Sequence, residues 1–309
     1  MISLRIRNGF SSAHIKGMLG AFKLTKRSRE KCFSTNIEDG ESVRLKDTVY
    51  SKQLGSVTTI HINRPDTRNC LNFQTAVKLK EALHAFNSDE KSNVAVLCGE
   101  GGNFCSGLDC NELASDSSFL KKFQDLRLLD EFSKKPLVAA VNGFAVGEGF
   151  DLALACDLRV VEDTAIFGYF NRRLGVPVSE TSVRRLEGLV GRARAMDWIL
   201  TARAVRSKEA LNCGIASRLI ACGTAYGQAH TLAKVLEKFP PYSLLLDRIN
   251  LQLNHFSIAE QERMLKIKNE IQEKVLEESI SGAKNFQSGY GRHGTTSYST
   301  VKKYKMETQ

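Results

Sequence analysis

Two short apolar runs, each ending in glycines and leading into a helical pattern, constrain this chain's fold more than any other feature. Val94 to Cys98 runs into Gly99-Glu100-Gly101-Gly102, and Leu137 to Val141 runs into a glycine loop at 143–149 that opens a helix over Phe150 to Cys156. A five-residue apolar run bounded by glycine reads as a buried strand. Strands that alternate with helices in this way belong to an α/β fold. Further strands are expected at Val43 to Tyr50 and Ser56 to Ile62, a hairpin around Gly55, and at Leu158 to Val161, leading to Ile166-Phe167-Gly168. Helical spacing marks Phe73 to Phe86 and Phe119 to Phe132. Strand, strand, helix in repetition points to a ββα spiral rather than a doubly wound sheet, although periodicity alone leaves both open.

From Val183 onward the pattern is mostly helical: Arg192 to Ala202, Ser207 to Cys213, Ala225 to Lys238, Tyr242 to Asn254 and Ile258 to Ser281. The last helix carries a sparse apolar stripe (Leu265, Ile267, Ile271, Val275, Leu276), which suits packing on a neighbour or a subunit interface.

Composition excludes several classes. With 309 residues, 42% hydrophobic and 25% charged, the chain is neither disordered nor fibrous. Its longest apolar stretch, Leu137 to Val146, is broken by Asn142 and Gly143 and is too short to span a membrane. The net charge of +10 sits at the ends. Residues 1–36 carry eight Lys and Arg against Glu30, a net +7, and residues 291–309 add +3, so the body is formally neutral. A nucleic-acid groove in the body is therefore not expected, and RNA binding would have to use the basic ends. The basic, Ser-containing segment with spaced apolar residues is expected to be a mitochondrial transit peptide over 1–33, with Lys31-Cys32-Phe33-Ser34 like a processing site; a plain basic arm is the alternative. Eight cysteines without a C-x-x-C pair and six histidines without metal spacing point to a reducing compartment and no metal site.

Chemistry concentrates in Asn103-Phe104-Cys105-Ser106-Gly107-Leu108-Asp109 and in Asn142 to Leu152. Each joins a strand to a helix start, where unpaired backbone N–H groups and the helix dipole favour negative charge, so both are candidates for an oxyanion hole. These loops, together with Asn63-Arg64-Pro65-Asp66-Thr67-Arg68-Asn69-Cys70-Leu71-Asn72 and Phe167-Gly168 to Gly175-Val176-Pro177, resemble in order and spacing the enoyl-CoA hydratase/isomerase (crotonase) superfamily. The resemblance spans about 43 to 290. It implies an α/β crotonase-like spiral of ββα repeats over 42–240, a C-terminal helical trimerisation region over 241–290 and a flexible basic tail at 291–309. A homotrimer, or a hexamer of stacked trimers, accompanies it, while the transit peptide points to a mitochondrial matrix location.

The resemblance further implies that the N–H groups of Leu108 and Glu148 hold the oxygen of an acyl-CoA thioester while an enolate develops. One fixed donor of that kind is commonly worth about 3–4 kcal/mol. Glu148 stands where the family usually has glycine, and an inward-pointing carboxylate there would oppose the enolate. Arg68, Cys70, Ser106 and Leu108 fall on the family's coenzyme A cradle, with Arg64 and Arg68 available to the phosphates. Coenzyme A arrives as part of the substrate, and no separate cofactor is implied.

The acid–base positions depart from a standard hydratase, in which two glutamates activate one water. The first falls on Asp151, the second on Asn171, which has no titratable proton. Glu180, after Gly175-Val176-Pro177-Val178, lies near where the family's dienoyl-CoA isomerases carry an additional acid, but it reads equally well as a helix-start residue beside a Ser179 or Thr181 cap. Asp109 reads as a helix cap, and His61, alternating with Ile60 and Ile62, as a solvent-side residue. The expected activity is enoyl-CoA hydration, with Asp151 as the main acid–base group and Glu180 as a possible second. Alternatives are a double-bond isomerase and an acyl-CoA-binding homologue with little turnover.

Overall fold

A computed structural model describes residues 47–287; the side chains of residue 279 and of residues 282–287 are not described. The expected transit peptide, residues 43–46 of the first strand and the basic tail lie outside the described residues.

The hairpin pairs β1 (Val49–Leu54) with β2 (Val57–Ile62), antiparallel and in register from Val49↔Ile62 to Leu54↔Val57. The tight turn at Gly55-Ser56 carries β1 four residues past the expected end at Tyr50. β3 (Val94–Gly99), β4 (Leu137–Val141), β6 (Leu158–Glu162) and β9 (Arg218–Ile220) add in parallel, giving the order β1-β2-β3-β4-β6-β9. β5 (Phe144–Val146), β7 (Ile166–Gly168) and β8 (Val205–Arg206) form a second, smaller sheet. β4 and β5, then β6 and β7, each give one strand to either sheet. An isolated parallel bridge of Cys105 to Ala145 extends the small layer toward the preceding turn. This is the repeating spiral of an α/β crotonase-like fold.

Both faces of β3 and β4 in the middle of the large sheet are buried, which is why these strands are apolar runs rather than alternations. Val94, Val96, Val138, Ala140 and Val160 face Ala225, Ala229, Leu232 and Ala233 of α8 (Ala225–Leu236). The intervening residues Ala95, Leu97, Ala139 and Val141 face the larger core, with Ala76, Leu79 and Phe86 of α1 (Phe73–Ser88). α1 starts where Asn72 Oδ1 accepts the Thr75 N–H at 2.9 Å, satisfying a free helix-end donor.

His61 departs from its expected place at the solvent. All six residues of β2 are buried, because β1 and β3 flank it and helices cover the sheet. His61 Nδ1 lies 2.7 Å from Glu100 Oε1, and its ring stacks on Tyr50 at 4.5 Å. The helix expected over Phe119 to Phe132 also ends early. α2 (Cys110–Ser115) precedes it, and α3 (Phe119–Leu126) stops at Arg127, whose φ of 49° turns the chain. Phe119 therefore packs with Leu108 and Val176, while Phe132 joins the C-terminal helices.

Those helices are α9 (Pro241–Gln252) and α10 (Ile258–Gln287). Leu245 and Ile249 pack on Met264, Ile267 and Ile271. Leu265 and Leu276 of the expected stripe stay exposed, as do Leu251, Ile258 and Ile280. No described helix is long and apolar enough to cross a membrane.

Candidate active site

Residues 107–109 run beside Leu71, whose N–H donates to Gly107 O at 2.7 Å and whose carbonyl accepts the Asp109 N–H at 2.9 Å. Successive residues of an extended chain face opposite ways, so the Leu108 N–H points away from Leu71. It points toward the start of α4 (Glu148–Ala155). Two glycines let these segments meet. Gly107 has φ +89°, and a Cβ there would lie 2.9 Å from Val146 O. Gly149 lies so close to the first loop that a Cβ would meet Cys105 O at 2.1 Å. Cys105 N–H donates to Phe144 O at 2.9 Å, and Val146 N–H to Cys105 O at 3.1 Å, which clamps the two loops together.

Between them opens a cavity of about 260 Å³, whose wall includes Ser106, Leu108, Cys110, Glu148, Phe170, Asn171 and Arg173. Leu108 and Glu148, expected to share one oxyanion site, do meet here. The direction of the Glu148 side chain, which the sequence leaves open, is inward. Its Oε2 accepts the Leu108 N–H at 3.1 Å, and its Oε1 accepts from Asn171 Nδ2 at 3.4 Å. Burial pushes the Glu148 carboxyl above the usual glutamate range, while its own N–H, the Leu108 N–H and the Asn171 amide pull it back.

Asp151 is one turn further along α4 and is buried, but it does not line the cavity. Aspartate is one methylene shorter than the glutamate a standard hydratase carries at this position. Burial, then the neighbouring Glu148 charge, pushes its carboxyl up to about 7, against the lowering influence of the Ser182 and Tyr169 hydroxyls and of Arg185. Its Oδ1 has no hydrogen-bond partner among the described residues. Two carboxyls crowded in a dry site push each other's titration apart, the arrangement on which acid–base chemistry near neutral pH is built.

Glu180 is not brought to this site. It opens α5 (Glu180–Val190), lies exposed outside the cavity wall and pairs with Arg184 at 2.5 Å, while Ser179 caps the helix by accepting the Ser182 N–H at 3.2 Å. Asp109 is a helix cap, accepting the Asn111 N–H at 3.1 Å.

The cradle residues divide. Ser106 and Leu108 line the cavity, whereas Arg68 and Cys70 sit on the adjoining loop, tied to it by the Ser106 N–H donating to Arg68 O at 3.1 Å. Arg68 is exposed, its guanidinium 5.3 Å from the centre of the Phe144 ring, and is available to a phosphate. Cys70 is buried, and burial pushes its thiol up. Arg64 is already committed, with Nη2 on Asp109 Oδ2 at 2.9 Å and Nη1 on Cys70 O at 2.7 Å, so it braces the loop.

Sequence reasoning missed Arg173, the cation on the cavity wall. It lies over the Phe170 ring at 4.4 Å and donates to Ala202 O at 3.0 Å. Its position two residues after Asn171 was the available signal. No cluster of potential metal ligands occurs among the described residues.

The family model for enoyl-CoA hydratase/isomerase matches residues 52–292. A probable enoyl-CoA hydratase of Mycobacterium leprae is 36% identical over 180 residues, covering 57% of this chain and 73% of that protein. Another from Rhizobium meliloti is 33% identical over 217 residues, covering 67% and 82%. The solved structure of an enoyl-CoA hydratase subunit from Geobacillus kaustophilus superposes with a TM-score of 0.69 at 32% identity, covering 78% of this chain and 95% of that one. With the family pattern matched across both glycine loops and the spiral that joins them, the chain belongs to the enoyl-CoA hydratase/isomerase family.

Proposed function

We propose that the protein is an enoyl-CoA hydratase that adds water across the α,β double bond of an enoyl-CoA thioester, with Glu148 as the carboxyl that works at the reacting face. The observation that carries this reading is the meeting of the Leu108 N–H and the Glu148 carboxylate on one cavity wall, 3.1 Å apart. A thioester oxygen placed on the Leu108 and Glu148 N–H groups leaves the displaced carboxylate beside the acyl chain. That carboxylate takes a proton from water as the water oxygen bonds to the β-carbon, and the electron pair of the double bond moves onto the thioester oxygen as an enolate. The proton then returns from Glu148 to the α-carbon. Asn171, in the place of the second glutamate, orients Glu148 by its amide and carries no proton. Asp151, next to Glu148 and titrating near neutrality, holds a proton when Glu148 is charged. The reaction draws on no cofactor beyond the coenzyme A of the substrate.

A double-bond isomerase is a second reading, because Glu148 is the acid on the described cavity wall and a proton shift along the chain needs one base. Incubation of the purified protein with a panel of enoyl-CoAs decides between them. Hydration abolishes the conjugated absorbance and adds the mass of one water, while isomerisation leaves the mass unchanged. Binding without either change would leave an acyl-CoA-binding protein.

The same reading extends to residues 1–33 as a transit peptide for the mitochondrial matrix and to a homotrimeric or hexameric assembly. The basic N-terminal composition supports the first. The exposed apolar residues of α9 and α10 support the second. N-terminal sequencing of the protein from cells tests the import segment, with an intact Met1 in a cytosolic fraction as the contrary result.

A further inference from the structure

A carboxylate oxygen 3.1 Å from the Leu108 nitrogen stands where a thioester oxygen would have to stand, and one N–H cannot serve both. The occupant is built in. Glu148 is 9% exposed, and its second oxygen is held by Asn171 at 3.4 Å. The Leu108 donor of the hole is therefore satisfied by a side chain of the same chain, at a helix N-terminus that favours a negative charge. The cavity in front of Glu148 gives the side chain somewhere to go, and the Arg173 guanidinium on the same wall supplies a counter-charge for it there.

We propose that Glu148 is a specificity-determining residue that plugs the oxyanion hole of the free protein, so that a thioester carbonyl gains the Leu108 N–H only by displacing the Glu148 carboxylate from it. The inference rests on the acyl-CoA reading above and adds to it a competition inside the site. A ligand lacking the carbonyl oxygen has no need to displace Glu148. In the native protein the carbonyl therefore contributes little to affinity, and recognition falls on the coenzyme A moiety and the acyl chain. Removing the plug returns the hole to the carbonyl.

The test compares a saturated acyl-CoA with the S-alkyl-CoA thioether of the same chain length, which lacks the carbonyl oxygen, by calorimetric binding to the full chain and to Glu148→Ala and Glu148→Gln. The native protein is expected to bind the two within a factor of about two, since a displaced hydrogen bond offsets the new one. Glu148→Ala is expected to favour the thioester over the thioether by about tenfold, the size of the two hydrogen bonds a neutral carbonyl accepts there. Glu148→Gln keeps the volume of the side chain, folds where the smaller variant fails to, and is expected to fall between the two because its neutral amide holds the N–H groups less strongly. A native protein that already prefers the thioester as strongly as the folded variants do would overturn the plug and leave the acyl-CoA reading standing. Failure of both ligands to bind any of the three proteins would remove the acyl-CoA reading itself, and the plug with it.

Discussion

Glu148 Oε2 accepts the backbone N–H of Leu108 at 3.1 Å across 40 residues of sequence, and this bond joins the two glycine loops at the floor of the cavity. It places a carboxyl where the fold offers backbone donors to a ligand, so a candidate proton-transfer group and a candidate anion site are one place.

If Glu148 moves the proton, Glu148→Gln retains the shape of the side chain and removes the base. Turnover of the preferred enoyl-CoA is then expected to fall by about 10²–10⁴-fold. Asp151→Asn, behind the wall, is expected to cost clearly less. Steady-state rates of both variants check the order, and a larger loss in Asp151→Asn would return the main role to that residue.

The buried Asp151 carboxyl titrates near 7 in the folded protein, against an ordinary value of 3.8. The folded state therefore holds a proton that the unfolded chain has released, and stability falls as pH rises from about 4 to 7. Asp151→Asn removes this contribution. Its stability relative to the native protein is expected to rise across that window by up to roughly 4 kcal/mol and to level off above pH 7. Urea unfolding of both proteins at several pH values measures the difference, and a pH-independent gap would refute it.

At Gly149 a Cβ would meet the Cys105 carbonyl oxygen at 2.1 Å, a backbone atom that cannot swing aside. Gly149→Ala is expected to destabilise the protein by about 3 kcal/mol or more, well beyond the ordinary cost of a surface substitution. Thermal unfolding checks this, and an unchanged melting temperature would show that the loops separate easily.

Leu251, Ile258 and Leu276 expose 77%, 73% and 61% of their surface on the C-terminal helices, more than a water-facing apolar residue gains anything from. A trimer that covers this face is expected to give three times the chain mass in light scattering, and Leu276→Glu is expected to shift the population toward smaller species. A single-chain mass for the native protein would contradict the assembly.

The parts of this molecule determined by neighbours in sequence were legible in the sequence. The strand Leu137–Val141 occupies the place expected of it, the strand Leu158–Glu162 runs one residue past its expected end, and α1 starts at Phe73 behind its Asn72 cap, because periodicity and capping act over a few residues. The two glycine loops were legible for the same reason, since their glycines answer local demands of φ and close approach. Side-chain direction was not. Glu148 reaches Leu108, Arg64 is taken by Asp109 from 45 residues away, and His61 is enclosed by Glu100 and Tyr50. Each of these partners is brought by the spiral's turns and not by the chain's own neighbourhood. Asp151 and Glu180 show the same division. Both are first-turn acids in sequence, yet one is sealed behind a cavity wall and the other stands in water beside Arg184, because burial is a property of what packs over a helix and not of the helix itself.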